Sequence, residues 1–283
     1  MEMREVTTAE YPARLRELPQ PPKRLWGRGS FPGEETKCLA VVGSRALSAY
    51  GREACEKLIA GLRGYPISIV SGLALGADAC AHKAALEAGL HTSAVLGSGI
   101  DDASIHPRAN APLAREILSK GGLLLSEKGA GYTPHPYDFP ERNRIVVGLS
   151  HAVLIVEAGE KSGTLITARL AGEYNRDLLC IPHRMGDPHG FGAHLFLRLG
   201  AALVAEPLHI LEALHISPKI VTYDVTISLK GEEKRVYDLL QEPLPRDEII
   251  RKSGMNASET LTTLVTLELK GILKEEFGAW RRC

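Results

Sequence analysis

The chain has 283 residues, with 34 Lys and Arg against 34 Asp and Glu, so its formal net charge is zero. That balance excludes a globally basic coat for nucleic acid, and any anion site has to be built locally. Five cysteines without a C-x-x-C pair argue against zinc or a disulfide framework, and no apolar run approaches bilayer length, so the expected setting is the reducing cytoplasm with no membrane partner.

Residues 1–37 read as an irregular lead-in. Pro12, Pro19, Pro21, Pro22 and Pro32 exclude a long helix there, while Leu15, Leu18, Leu25 and Trp26 can pack on a neighbour. Between 38 and 215, short apolar runs at 38–42, 67–71, 92–96, 123–126, 152–156, 178–181 and 203–204 read as strands. Helical patterns at 52–62, 77–88, 113–119 and 165–173 fall between them. This alternation predicts an α/β fold, an extended Rossmann-like and mostly parallel sheet covered on both faces. Residues 216–229 read as a linker. Residues 230–283 give three short helices, broken by Pro243, Pro245 and Gly254, and a hairpin at Gly278, the order of a small winged-helix domain.

Ligands of open α/β sheets bind beyond the carboxyl ends of the strands, so the segments that follow each strand carry the chemistry. Gly43-Ser44-Arg45 follows the first, Ser71-Gly72-Leu73-Ala74 the second, Gly97-Ser98-Gly99 the third, and Ser162-Gly163-Thr164 comes soon after the fifth. Glycine admits a close backbone approach, hydroxyls and free amides bind anions, and the helices that follow present their amino ends. A further segment, Phe139-Pro140-Glu141-Arg142-Asn143-Arg144, is read as a loop in which two guanidinium groups grip phosphate and the ring stacks on a base. The alternative for it is internal ion pairing of the arginines with Phe139 in the core.

There is neither a G-x-G-x-x-G after the first strand nor a P-loop lysine, so no NAD or ATP cofactor is indicated. Asp78 and His82 lie one helical turn apart and suit a brace for their loop better than acid–base chemistry. His183, Asp187, His189 and His194 crowd one stretch without a ligand spacing, so no metal is expected. No serine elbow and no cysteine with a placed histidine reads as a nucleophile.

Together these segments resemble the DNA-processing protein A (DprA/Smf) family from about Tyr11 onward. The carrying strings are Val41-Val42-Gly43-Ser44-Arg45, Ser71-Gly72-Leu73-Ala74 with Asp78 and His82, Ala94 to Gly99, Phe139 to Arg144, and Glu157-Ala158 with Ser162-Gly163-Thr164. The resemblance implies a non-enzymatic single-stranded DNA-binding protein of natural transformation. It also implies a homodimer that passes the strand to a RecA-type recombinase. The DNA site it implies comprises Gly43, Ser44, Arg45, Ser71, Gly72, Phe139, Arg142, Asn143, Arg144, Ser162, Gly163 and Thr164. The chain departs from the family pattern at His106-Pro107, Pro182-His183 and Gly192-Ala193-His194. The small helical domain that many members carry at the amino end is expected to be absent.

Two rivals use a related sheet: a nucleoside-monophosphate phosphoribohydrolase of the lysine-decarboxylase-like type, and a small-nucleotide sensor. The first needs a catalytic glutamate where Ile166 and Thr167 stand. The apolar cluster Leu195, Phe196, Leu197 and Leu199 is the expected dimer surface. In the tail, Thr222 to Cys283, ten Lys and Arg meet eleven Asp and Glu, which predicts a winged helix that is not the DNA reader.

Overall fold

The computed structural model describes residues 2–218, 229, 231–270, 272–276 and 278–282. The chain divides into two units, Met1–Pro218 and Lys219–Cys283. Most of the expected linker, 219–228, lies outside the described residues.

The first unit is built on a nine-stranded sheet. Its strands are β1 (Arg4–Val6), β2 (Leu25–Gly29), β3 (Lys37–Val42), β4 (Ile67–Ser71), β5 (His91–Leu96), β6 (Leu123–Ser126), β7 (Ala152–Ile155), β8 (Asp177–Cys180) and β9 (Ala202–Leu203). In space they run β1-β2-β6-β5-β4-β3-β7-β8-β9. From β6 to β9 all pairs are parallel, whereas β2 joins β6 and β1 joins β2 antiparallel. The chain builds outward from β3 in one direction, then returns to lay β7 on the other side of β3. That reversal makes the crevice between β3 and β7 the switch point of the sheet.

Residues 1–37 are therefore not an irregular lead-in, which corrects the sequence reading. They supply β1, β2 and the short helix α1 (Ala13–Arg16), and Leu15, Leu18 and Leu25 are buried. The prolines exclude a long helix but permit two short edge strands.

Helices α2 (Ala49–Ala60), α3 (Ala77–Glu87), α4 (Ala111–Ser119), α5 (Asp138–Leu149), α6 (Thr164–Glu173), α7 (Phe191–Arg198) and α8 (Pro207–Ala213) cover the sheet. The period-2 geometry of strands explains the unbroken apolar runs. In β3, Leu39 and Val41 enter the core that includes Ile59, Ala81 and Ile210, whereas Ala40 and Val42 enter the opposite core with Leu15, Val146 and Ala168.

The second unit has helices Glu232–Leu239, Arg246–Ser253 and Ala257–Leu269 and a three-stranded sheet formed by β10 (Leu244–Pro245), β11 (Leu273–Glu276) and β12 (Ala279–Arg282). Gly254 ends the second helix in the left-handed region, and Asn256 caps the third by accepting the Glu259 N–H at 2.9 Å. Val236, Ile249, Leu264, Leu267 and Trp280 form its core. This is a winged helix.

Candidate nucleic-acid site

A cavity of about 540 Å³ opens at the β3–β7 switch point. The turn after β3 contributes Gly43, Ser44 and Arg45, and the loop after β7 contributes Lys161, Ser162 and Gly163 with Thr164 and Thr167 of α6. Ala74 and Asp78 close it from the β4–α3 side, and Phe139, Pro140, Arg142 and Asn143 from α5. The turns are tight for identifiable reasons. Ser44 folds back so that its hydroxyl accepts the Ala46 N–H at 3.1 Å, and a Cβ on Gly43 would stand 2.8 Å from that of Ala77. Ser162 accepts the Thr164 N–H at 3.2 Å and donates to the Thr164 hydroxyl at 2.9 Å, shaping the entry to α6.

The segment from Phe139 to Arg144 is helix, not loop, and this changes what its arginines do. Asp138 anchors the amino end of α5 by accepting from the His135 N–H at 2.6 Å and the Tyr132 hydroxyl at 3.0 Å, and by pairing with Lys128 at 2.8 Å. Pro140 sits in the first turn, where a missing N–H is harmless. Residues two apart on a helix face nearly opposite ways, so Arg142 and Arg144 are split. Arg142 turns inward and lines the cavity. Arg144 turns away, pairs with Glu127 and donates to the Gln20 carbonyl at 2.8 Å. It does not line the cavity, and the internal ion pairing weighed as an alternative describes it.

Arg142 is 6% exposed and donates to the carbonyl of Val95. Burial draws its pKa down to about 10, against the favourable field of Asp78. The guanidinium therefore remains charged at neutral pH and forms a cationic floor. Burial pushes the Asp78 carboxyl up, opposed by Arg142 and by the N–H groups of Ala74 and Gly72, which donate to it at 3.3 and 3.0 Å. Asp78 is the loop brace. His82 is not its partner and instead meets the Thr92 hydroxyl at 2.7 Å. Gly72 has a different reason from the expected close approach of an anion: a Cβ there would lie 1.9 Å from Nη1 of Arg142. Ser71 is likewise structural, donating to the Val41 carbonyl at 2.6 Å in full burial.

Above this floor, Arg45 is exposed and lies 5.4 Å from the centroid of the half-buried Phe139 ring. The ring also meets His106 at 5.6 Å between centroids, and it separates the main cavity from a smaller one of about 100 Å³ that includes Gly72. Asn143 donates to the Thr167 hydroxyl at 2.9 Å, tying α5 to α6. The third loop does not reach the cavity; its Ser98 is buried and accepts the His106 N–H at 3.2 Å, supporting the Phe139 wall from behind. Sequence reasoning passed over Lys161 and Thr167. The signal for Lys161 was present, a lysine one residue before Ser162-Gly163-Thr164. Among the described residues neither Arg45 nor Lys161 is ion-paired, so the cavity gathers Arg45, Lys161 and Arg142 against Asp78.

No three His, Cys, Asp or Glu side chains converge as a metal site among the described residues. His183 donates through Nε2 to the Val156 carbonyl at 2.9 Å, and His189 lies 3.4 Å from the buried Glu157. No described helix is long and apolar enough to cross a membrane.

A family model described as DNA recombination-mediator protein A matches residues 2–215, and one described as DprA winged helix domain matches residues 223–277. The chain belongs to the DNA recombination-mediator protein A family. It is 39% identical to Protein Smf of Escherichia coli over 288 residues, covering 96% of this chain and 75% of that protein. It is 42% identical to DNA processing protein DprA of Streptococcus pneumoniae over 194 residues, covering 69% of this chain and 67% of that protein. Among solved structures, DNA processing protein A from S. pneumoniae aligns with a TM-score of 0.70 at 39% identity, covering 75% of this chain and 74% of that one. DNA processing protein A from Helicobacter pylori, described for its single-stranded DNA binding mode, aligns with a TM-score of 0.67 at 28% identity, covering 76% and 96%.

Proposed function

We propose that this chain binds single-stranded DNA in the switch-point cavity and serves DNA processing in natural transformation. The observation that carries the reading is the pairing of a half-buried aromatic ring with three cations around one open cavity. Arg45 and Lys161 meet phosphates at the rim, Arg142 supplies the charge of the floor, and Phe139 offers a stacking edge for a base. Gly43, Ser44, Ser162, Gly163 and Thr164 shape the backbone around the strand, and Asn143 holds α5 against α6. A Cβ on Gly163 would meet nothing within 4 Å, so the fold does not demand glycine there, and an open backbone at a helix amino end suits a phosphate. Such a site reads no base edges, so sequence preference is low. The relatives' names support the same reading.

The chain acts by binding rather than catalysis. Ile166 is exposed and Thr167 is bonded to Asn143 where the phosphoribohydrolase would need its glutamate. The carboxylate that lines the cavity, Asp78, is held by two backbone amides and faces Arg142. We place the protein in the cytoplasm, handing its strand to a RecA-type recombinase and working as a homodimer. Phe196 of the expected dimer cluster is buried, but Leu195 and Leu199 are exposed, as is Leu203 on the edge strand β9. Such an edge invites a partner.

A gel shift comparing an oligothymidine with a duplex of equal length tests the reading. Preferential retention of the single strand is expected, and equal affinity for both refutes it. Displacement of the strand by adenosine monophosphate at equal concentration would favour the nucleotide-sensor alternative.

A further inference from the structure

A second cavity, of about 590 Å³, opens beside the amino ends of β3, β5, β6 and β7, at the other end of the strands from the switch point. Its floor runs across three neighbouring strands, where Val70 pairs with Ser93 and Ser93 with Leu123. Its roof is the amino-terminal segment, with Tyr11 and Pro12 on one side and Phe31 and Pro32 on the other. A cavity of this size is ordinary for a small-molecule site, and its lining is mixed, with an apolar floor at Val70 and Leu123 and charged groups among the residues around it.

Three polar groups lining the chamber keep an atom without a partner among the described residues: the Tyr11 hydroxyl, the Ser93 hydroxyl and Nε2 of His151. Ser93 is only 2% exposed, and among the described residues nothing hydrogen-bonds its hydroxyl, whereas the adjacent Thr92 donates to the Ile69 carbonyl at 2.9 Å. A buried hydroxyl without a partner is costly, and one that faces a cavity marks where a ligand atom fits. His151 accepts the Cys38 N–H at Nδ1, 3.0 Å away, which leaves the proton on Nε2. Burial, reinforced by Arg14, Lys37 and Arg176, draws its pKa down to about 4, so the ring is neutral and Nε2–H is a donor. At the mouth, Arg14 and Arg16 have no ion pair among the described residues. Of the two glutamates there, Glu10 is held by Arg4 at 2.7 Å, which leaves Glu34 as the opposing charge.

We propose that this cavity is a second ligand site, for a small anion carrying a flat apolar ring. The ring lies on Val70 and Leu123 against Phe31, an acceptor on it meets the Ser93 hydroxyl, and the anionic group reaches Arg14 and the His151 Nε2–H, which lie near one another. Aromatic carboxylates and mononucleotides share this chemistry. The site is separate from the strand-binding reading, since it uses none of the switch-point residues.

The test is calorimetric titration of the full chain with 6-hydroxy-2-naphthoate and, separately, with adenosine monophosphate. The variants are Ser93→Leu, Arg14→Ala, Phe31→Ala and Arg45→Ala. At least one probe should bind with a dissociation constant below about 1 mM. Ser93→Leu, which fills the floor, should abolish that binding, and Arg14→Ala should weaken it about tenfold through loss of a charge-assisted contact. Arg45→Ala should leave it unchanged. Binding of hydroxynaphthoate alone assigns the site to aromatic acids. Binding of adenosine monophosphate that survives Arg45→Ala and is lost in Ser93→Leu assigns it to nucleotides. If Ser93→Leu does not fold, Arg14→Ala and Phe31→Ala must both weaken binding. The inference is overturned if neither probe binds, if these two variants bind as the parent does, or if Arg45→Ala abolishes the binding.

Discussion

Replacing Phe139 with alanine separates a stacking ring from a core ring. The side chain is half-buried, with Arg45 at 5.4 Å and His106 at 5.6 Å from its centroid, and it walls the main cavity. Loss of one base–aromatic stack costs about 1–3 kcal/mol of binding, which is roughly 5- to 150-fold in affinity. The stability cost should fall below the ~3–5 kcal/mol of a fully buried phenylalanine, because part of the ring already faces solvent. Fluorescence anisotropy with a labelled oligothymidine gives the first quantity, and urea unfolding gives the second. Phe139→Leu should recover most of the stability and little of the affinity, since it restores apolar bulk without a π face. A variant that melts much earlier yet binds as the parent does would show that the ring belongs to the core.

Further predictions follow from the same geometry. Arg45→Ala and Lys161→Ala should each weaken single-strand binding and flatten its dependence on salt by about one counterion, whereas Arg144→Ala, which breaks the pair with Glu127, should change stability more than the salt slope; the reverse ranking in anisotropy titrations would contradict the split of the two arginines. Gly72→Ala should destabilise the fold strongly, because its Cβ would lie 1.9 Å from the Arg142 guanidinium, and thermal unfolding at or above the parent's temperature refutes the packing argument. Burial draws His82 to about 3 and His151 to about 4, so the unfolded chain binds these protons more readily than the folded one. Their contribution to stability is therefore complete above about pH 6.5 and is lost as pH falls toward 4, and a melting temperature that is flat from pH 7 to 4.5 would count against this. A chain truncated at Ser217 should keep most of its single-strand affinity, because helix Ala257–Leu269 of the winged helix carries Glu259 and Glu268 and exposes Leu261, Val265 and Leu269 rather than cations; abolished binding with the sheet unit still folded would move the site to the tail.

The parallel strands were legible because both faces of the sheet are covered, so β3 to β8 stand out as apolar runs and their ends shift by only a residue or so. β1 and β2 were not, since a three-residue strand and one holding Gly27 and Gly29 show little periodicity. Helix α5 was hidden by Pro140 and by the polar run after it, although a proline in a first turn is compatible with helix. That error put Arg142 and Arg144 on the same ligand. The glycine at 72 was legible as a constraint but not as to its cause, because the guanidinium that lies on it comes from 70 residues away. Lys161 was in view within its loop and lacked only the knowledge that its neighbours converge with Arg45.

Ultraviolet crosslinking of an oligothymidine to the full chain, followed by mass spectrometry of the crosslinked peptides, tests the location of the strand most directly. The account predicts adducts on the peptide containing Phe139, with further contacts near Arg45 and Lys161. Adducts confined to residues 246–270 of the winged helix, or to Phe31 in the amino-end cavity, would contradict it.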